Sequence, residues 1–225
     1  TLTLLQRDVC FLDNISGDRL RHEFERTSVE DEPEQTLLRL DALGALGIIH
    51  PELHFGPGKA EALVRGRPVV TSDVQLATFY WCVLVWGMSV GEAEVLGTRL
   101  NLPRRVMDPL ADAVALSRVE LQLDDPGLSP AEVFDLLHDH SAAALIAAEH
   151  LYLRPVARAN VSRYLRRLRH VRSVLTGGDL QALGIPEGPL IGCVLSALRA
   201  ARLNGEVATR TDEELLAQRL QRELR

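Results

Sequence analysis

Apolar residues in this chain recur at three- and four-residue steps, and strict polar–apolar alternation is nearly absent. That period predicts an all-α protein. Ser16 is placed to cap a helix running through Arg21 and Phe24. Pro33 suits the first turn of a helix carrying Leu37, Leu38, Leu40 and Leu43, expected to end near Gly44 or Gly47. Gly56, Pro57, Gly58, Gly66 and Pro68 mark loops around a short helix. Further helices are expected at 73–87, 89–100 and 103–121, with a turn at Asp124–Gly127. Ser129, Pro130 and Glu132 form a helix start with capping-box spacing, and Thr211 with Glu214 repeats it near the end. The Ala-rich stretch Ala142–Ala148 reads as helix packing. No internal period is sustained, so the expected architecture is an irregular helical bundle followed by a smaller helical tail, not a solenoid.

The most apolar run, Leu76 to Val90, is short of the ~20 residues that a membrane span needs. It reads as a buried helix with Trp81 and Trp86 as core anchors. No signal peptide is visible. Cys10, Cys82 and Cys193 are far apart in apolar surroundings. Such a set fits buried thiols in a reducing cytoplasm better than disulfides or a metal site. The chain opens on Thr1, in what reads as mid-helix, which suggests a piece of a longer protein.

Charge changes the picture most. The chain holds 25 basic and 31 acidic side chains. Between Leu151 and Leu175 stand Arg154, Arg158, Arg163, Arg166, Arg167, Arg169 and Arg172, with no Asp or Glu among them. A basic island on an acidic protein suggests a docking surface for a polyanion. Val161, Tyr164, Leu165, Leu168, Val171 and Leu175 form one apolar helical stripe through the island. At ~100° per residue, Arg163, Arg166, Arg167 and His170 fall opposite it, with Arg169 and Arg172 on its flanks. Arginine suits phosphate because its planar fork donates paired hydrogen bonds and stays charged. Charge alone leaves two readings open: contact with RNA or DNA, or a solvated face paired with carboxylates from elsewhere in the fold. Arginine is also abundant throughout, with Lys59 the only lysine, a skew that genome composition can produce.

Beyond the island, Thr176 or Asp179 can cap a short helix that Gly184 ends in a left-handed conformation. Gly188 and Pro189 can open the next helix with unbonded N–H groups suited to phosphate. A tight helix–turn–helix packed by small residues accounts for the same spacing.

Three stretches carry a family resemblance. Thr176-Gly-Gly-Asp-Leu-Gln-Ala-Leu-Gly-Ile-Pro-Glu-Gly-Pro-Leu-Ile-Gly192, followed by Leu203-Asn-Gly-Glu206, resembles the tail of class II tRNA nucleotidyltransferases, which comprise CCA-adding enzymes and bacterial poly(A) polymerases. Ile15-Ser-Gly-Asp-Arg-Leu-Arg-His-Glu-Phe24 is similar to the family's neck-to-body segment. Leu40-Asp-Ala-Leu-Gly-Ala-Leu-Gly-Ile-Ile-His-Pro-Glu-Leu53 is similar to the stretch after it. The resemblance implies the end of a neck at 1–27, a helical body at 28–150 and a tail at 151–225. It also implies a cytoplasmic role gripping RNA, in particular tRNA, while a nucleotidyltransferase head elsewhere performs the chemistry.

The family's paired-aspartate and nucleotide-template motifs do not occur here. The chain is therefore expected to be inert alone and to hold no cofactor, with Mg²⁺ and ATP or CTP belonging to the head. Arg163, Arg166, Arg167 and His170 are the first candidates for phosphate contact, on charge geometry, with Arg169 and Arg172 beside them. The amides of Gly177, Gly178 and Gly188 come second, with Asp179 and Gly184 shaping the turn. Arg19 and Glu23 either brace the neck–body junction or form an i,i+4 ion pair. His138-Asp139-His140 with His150, His50 and His54 is set aside as a metal centre, because adjacent residues on a helix point ~100° apart. A helical interaction or oligomerisation module, its arginines meeting an acidic patch on a partner such as a sister chain, is the main alternative.

Overall fold

The structure, a computed structural model, describes residues 9–70 and 76–223. After a 3-10 turn at Val9–Asn14 come helices α1 (Gly17–Thr27), α2 (Pro33–Ala42), α3 (Ala45–Ile49), α4 (Pro57–Gly66), α5 (Leu76–Val85), α6 (Val90–Arg99) and α7 (Arg104–Leu116). They are followed by α8 (Glu120–Leu123), α9 (Pro130–Leu137), α10 (Ala142–Leu151), α11 (Pro155–Arg166), α12 (Gly177–Ala182), α13 (Pro189–Asn204) and α14 (Arg210–Glu223). The described residues contain no strand, as the periodicity predicts. No helix among them is long and apolar enough to cross a membrane. The chain divides into two units: Thr1–Asp125 with His140–Val161, and Pro126–Asp139 with Ser162–Arg225. The second unit thus adds residues 126–139 to the C-terminal stretch that the sequence begins at 151.

In the first unit, α5 is apolar on every side, and Thr78 through Val85 are all buried. A helix hydrophobic all round belongs in the centre of a domain. α10 packs on α4, α5 and α7. Its Ala143, Ala144, Ala147 and Ala148 are buried, and their small side chains let the helix axes approach. Tyr152 closes this core, donating its hydroxyl to the Leu116 carbonyl at 2.7 Å. Trp81 is buried against Phe24, whereas Trp86 is half-buried against Tyr152, so only the first is a core anchor.

Helix starts follow their chemistry. Ser89 with Glu92, and Ser129 with Glu132, close reciprocal capping boxes. Ser16 takes the N-cap position of α1 without a side-chain capping bond. Positions 73–75 of the helix expected at 73–87 lie outside the described residues, and its C-terminus comes at Val85. The helix expected at 103–121 breaks after Leu116. Beyond the break, Glu120 turns to accept the N–H groups of Leu153 at 2.6 Å and Arg154 at 2.8 Å. The cap expected from Thr211 and Glu214 is made two residues earlier: Asp212 accepts from the Thr209 N–H at 2.8 Å, and Thr209 accepts from the Asp212 N–H at 3.2 Å. Of the three thiols only Cys82 is buried. Cys10 and Cys193 are exposed, against the expectation.

The second unit has its own core of Leu175, Leu180, Ile185, Val194, Leu198 and Ala217, overlaid by Leu183, Leu190, Leu195 and Leu220. α13 is its spine, packing against α9, α12 and α14.

Candidate nucleic-acid interface

The arginine island divides by what its side chains do. On α11, Ala157, Val161, Tyr164 and Leu165 are buried and form the expected stripe. In the first unit, Arg154 donates to Asp124 at 3.1 Å and Arg158 to the Tyr152 carbonyl at 2.9 Å. Those two guanidiniums are engaged by the protein itself. In the second unit, Arg163, Arg166, Arg167, His170 and Arg172 are exposed and Arg169 is half-buried. Arg166 donates to the Ser162 hydroxyl. No ion pair joins Arg163, Arg167, Arg169 or Arg172 to a described carboxylate. Those four guanidiniums are therefore uncompensated among the described residues, unlike a row of i,i+4 pairs.

The sequence predicts one helical stripe as far as Leu175, and here the structure differs. α11 stops at Arg166, where the Arg167 N–H makes the last helical bond, to the Arg163 carbonyl at 2.9 Å. Arg167 then takes φ −137°, ψ −57°, and a 3-10 turn spans Leu168–His170. The cause lies downstream. The carboxylate of Glu213, fully buried, accepts the N–H groups of Val174 at 2.8 Å and Leu175 at 2.9 Å. These donors would serve a continuing helix, and Val171 and Val174 are β-branched, which weakens the helical alternative. Arg163 and Arg166 consequently sit on a helix, while Arg167, Arg169, His170 and Arg172 line the turn after it. The turn is braced internally. Arg169 Nε donates to His170 Nε2 at 3.1 Å, and Arg172 donates to the carbonyls of Arg169 at 2.8 Å and Val171 at 3.1 Å.

Next along the chain, Thr176 caps α12 and Asp179 reciprocates, accepting from the Thr176 N–H at 2.8 Å and hydroxyl at 2.6 Å. Arg210 adds an ion pair to Asp179 at 2.5 Å. The Thr176 hydroxyl and N–H, together with Arg210, hold the Asp179 carboxyl well below the usual carboxylate range. The helix start beside Gly177 and Gly178 thus already carries a carboxylate, which satisfies the local dipole. Gly184 has φ +85°, the left-handed helix end read from the sequence. Gly188, at φ +141°, is exposed and opens α13.

Arg19 and Glu23 do not pair with each other. Glu23 lies 3.8 Å from Arg26, and both Arg19 and Glu23 line a cavity of about 270 Å³ whose walls include Leu12, Leu20, Phe24 and Leu46. Among the described residues no three His, Cys, Asp or Glu side chains gather as a metal site. His54 faces Asp41 at 3.8 Å, His140 faces Asp112 at 3.4 Å, and His138 ends α9. Sequence reasoning missed Glu213, Arg202, Arg210 and Arg199. Arg210 with Glu214 had a visible signal in its i,i+4 spacing. Glu213 had none, since a buried carboxylate at the polar start of α14 reads like its exposed neighbours.

Residues 1–55 match the family model described as the probable RNA and SrmB-binding site of polymerase A. Over 226 aligned residues the chain is 30% identical to the A-adding tRNA nucleotidyltransferase of Geobacter sulfurreducens, covering 93% of this chain and 26% of that protein. Its fold superposes on the Thermotoga maritima CCA-adding enzyme complexed with tRNA with a TM-score of 0.81 at 20% identity, over 99% of this chain and 56% of that one. An apo form of a CCA-adding enzyme gives 0.79 at 21% identity, over 97% and 53%.

These matches support the family that the sequence resembles, the class II tRNA nucleotidyltransferases and bacterial poly(A) polymerases. The chain spans about a quarter of that curated relative's length and a little over half of each of those solved chains. The match to the RNA-binding family model covers the 3-10 turn and α1 to α3 of the first unit and does not reach the arginine face. The assignment of Arg163 to Arg172 therefore stands on geometry and charge.

Proposed function

We propose that this chain is the RNA-gripping body and tail of a tRNA nucleotidyltransferase that acts in the cytoplasm. Its second unit holds the phosphates of a folded RNA while a catalytic head elsewhere in the parent protein extends the 3′ end. Arg163, Arg166 and Arg167, with Arg169, Arg172 and His170 on the adjoining turn, make the phosphate contacts. One observation carries this reading: the guanidiniums of Arg163, Arg167 and Arg172 are exposed and make no ion pair with a described carboxylate, on a chain whose net charge is −6. Exposed aromatic side chains are scarce on this face, which suits recognition of RNA shape, phosphates and 2′-hydroxyls rather than stacking on single strands. The backbone amide of the exposed Gly188 is a secondary anchor. Mg²⁺ and ATP or CTP belong to the head, and this chain alone transfers no nucleotide.

Salt-dependent titration with a tRNA transcript tests the reading. About four phosphate contacts give a slope of log affinity against log salt near −3. Replacement of Arg163, Arg166 and Arg167 by Glu should abolish binding. Unchanged affinity in that triple variant would remove the assigned surface.

A further inference from the structure

Arg199 lies outside the island, on α13, and its guanidinium carbon stands 5.1 Å from the centroid of the Phe134 ring. Phe134 comes from α9 and is buried. The same ring stacks on His138 at 5.0 Å and 19°, and meets Tyr164 at 5.8 Å. Tyr164 follows Arg163 directly on the last turn of α11. Three helices thus converge on one aromatic pair inside the second unit. α9 packs against both α13 and the 168–170 turn that carries Arg169, and Arg172 donates to the Arg169 carbonyl at 2.8 Å.

A guanidinium lying over an aromatic face keeps its N–H donors in its own plane, clear of the ring. No hydrogen bond or ion pair joins those donors of Arg199 to a described residue. Arg202, three residues further along α13, behaves otherwise and donates to the buried Glu213 carboxylate at 2.8 Å. Arg199 is also half-buried, so its long side chain has already given up much of its freedom. It is a charged, planar donor, oriented in advance and without a described hydrogen-bond partner, on a helix that shares α9 as a neighbour with the turn carrying Arg169. Orientation in advance lowers the entropy cost of ordering a flexible side chain on binding.

We infer that Arg199, steadied on Phe134, joins Arg169 and Arg172 in seating one backbone phosphate of the bound RNA. The inference rests on the RNA-gripping reading of the second unit and adds a residue that neither the island nor the family motifs contain. His138, on the same ring with 35% of its side chain exposed, flanks the seat. Its Nε2 lies 3.4 Å from the Asp139 carboxylate.

Fluorescence anisotropy of a labelled tRNA transcript against the chain, over a range of salt, tests the seat with four proteins: wild type, R199Q, R199K and the R163E/R167E double variant. R199Q is expected to bind roughly tenfold more weakly near 0.1 M salt, with a salt slope shallower by about one. R199K keeps the charge but loses the planar fork, so it should recover the slope and still bind more weakly than wild type. Its thermal unfolding should coincide with that of wild type, which keeps the result readable if R199Q fails to fold. Wild-type affinity and slope in R199K and in any folded R199Q, alongside lost binding in R163E/R167E, would overturn the seat and leave the broader reading standing. Absence of RNA binding by wild type would overturn both.

Discussion

Glu213 and Arg202 form an ion pair at 2.8 Å in which the carboxylate is fully buried while the guanidinium reaches the surface. The two oxygens of Glu213 also take the N–H groups of Val174 and Leu175. One acid thereby fixes the extended segment that carries the chain from the arginine turn into the core of the second unit. A buried carboxylate survives only when its lone pairs are filled, and three donors fill these.

Glu213→Ala removes the acceptor and leaves buried donors unsatisfied, so it should destabilise the chain by about 3–5 kcal/mol. Glu213→Gln retains one acceptor oxygen and should cost less. Urea denaturation with far-UV detection measures both. If Ala at 213 leaves the unfolding midpoint unchanged, the carboxylate is not organising this segment.

Asp179 sets a pH dependence. Its carboxyl is held low by the Thr176 hydroxyl, the Thr176 N–H and Arg210. A carboxylate depressed in the folded state contributes stability above its unfolded pKa, about 3.9, and loses it as pH falls toward the folded value. Asp179→Asn lacks that contribution at every pH. The gap in urea midpoint between wild type and D179N should therefore be widest near neutrality and close below about pH 4. A gap that stays constant from pH 7 to pH 3 would contradict the assignment.

Gly17 explains itself only in three dimensions. A Cβ there would meet the Arg99 carbonyl oxygen at 2.0 Å, so α1 begins in contact with the backbone at the end of α6. Arg99 returns the contact, donating to the carbonyls of Leu12, Asp13 and Ile15. Gly97 is also crowded, but by the flexible Met107 thioether. Gly17→Ala should cost at least the ~1–3 kcal/mol of an overpacked site, whereas Gly97→Ala should cost less because Met107 can move. Equal losses in thermal unfolding would count against this distinction between rigid backbone and adaptable side chain.

These cases separate what periodicity encodes from what it omits. The stripe of Val161, Tyr164 and Leu165 was legible because burial follows the 3.6-residue period, and so were the box at Ser129, a cap at Thr176 and the left-handed Gly184. The helix break after Arg166 was not, because its cause stands at Glu213, far along the chain. The Thr209–Asp212 cap was missed for a related reason: Thr-x-x-acid occurs twice in nearby registers, and the choice falls to whichever places Glu213 in the core. Arg199 looked ordinary because a cation–aromatic contact needs Phe134 from another helix. Local chemistry was readable; pairings between distant elements were not.

The division of labour within the island gives the sharpest test of its function. Arg154 and Arg158 have partners in the first unit, Asp124 and the Tyr152 carbonyl. Arg163 and Arg167 are exposed and face no described carboxylate. The double variants R154Q/R158Q and R163Q/R167Q each remove two positive charges, so net charge cannot separate them. The first should lower stability by about 1 kcal/mol or less for the exposed ion pair, plus about 1 kcal/mol for the carbonyl bond, and leave RNA affinity within about twofold. The second should leave the unfolding midpoint unchanged and weaken RNA binding by roughly two powers of ten at 0.1 M salt, with a slope shallower by about two. If the two variants lose RNA affinity equally, attraction to the RNA is a property of total charge, and no particular ridge holds it.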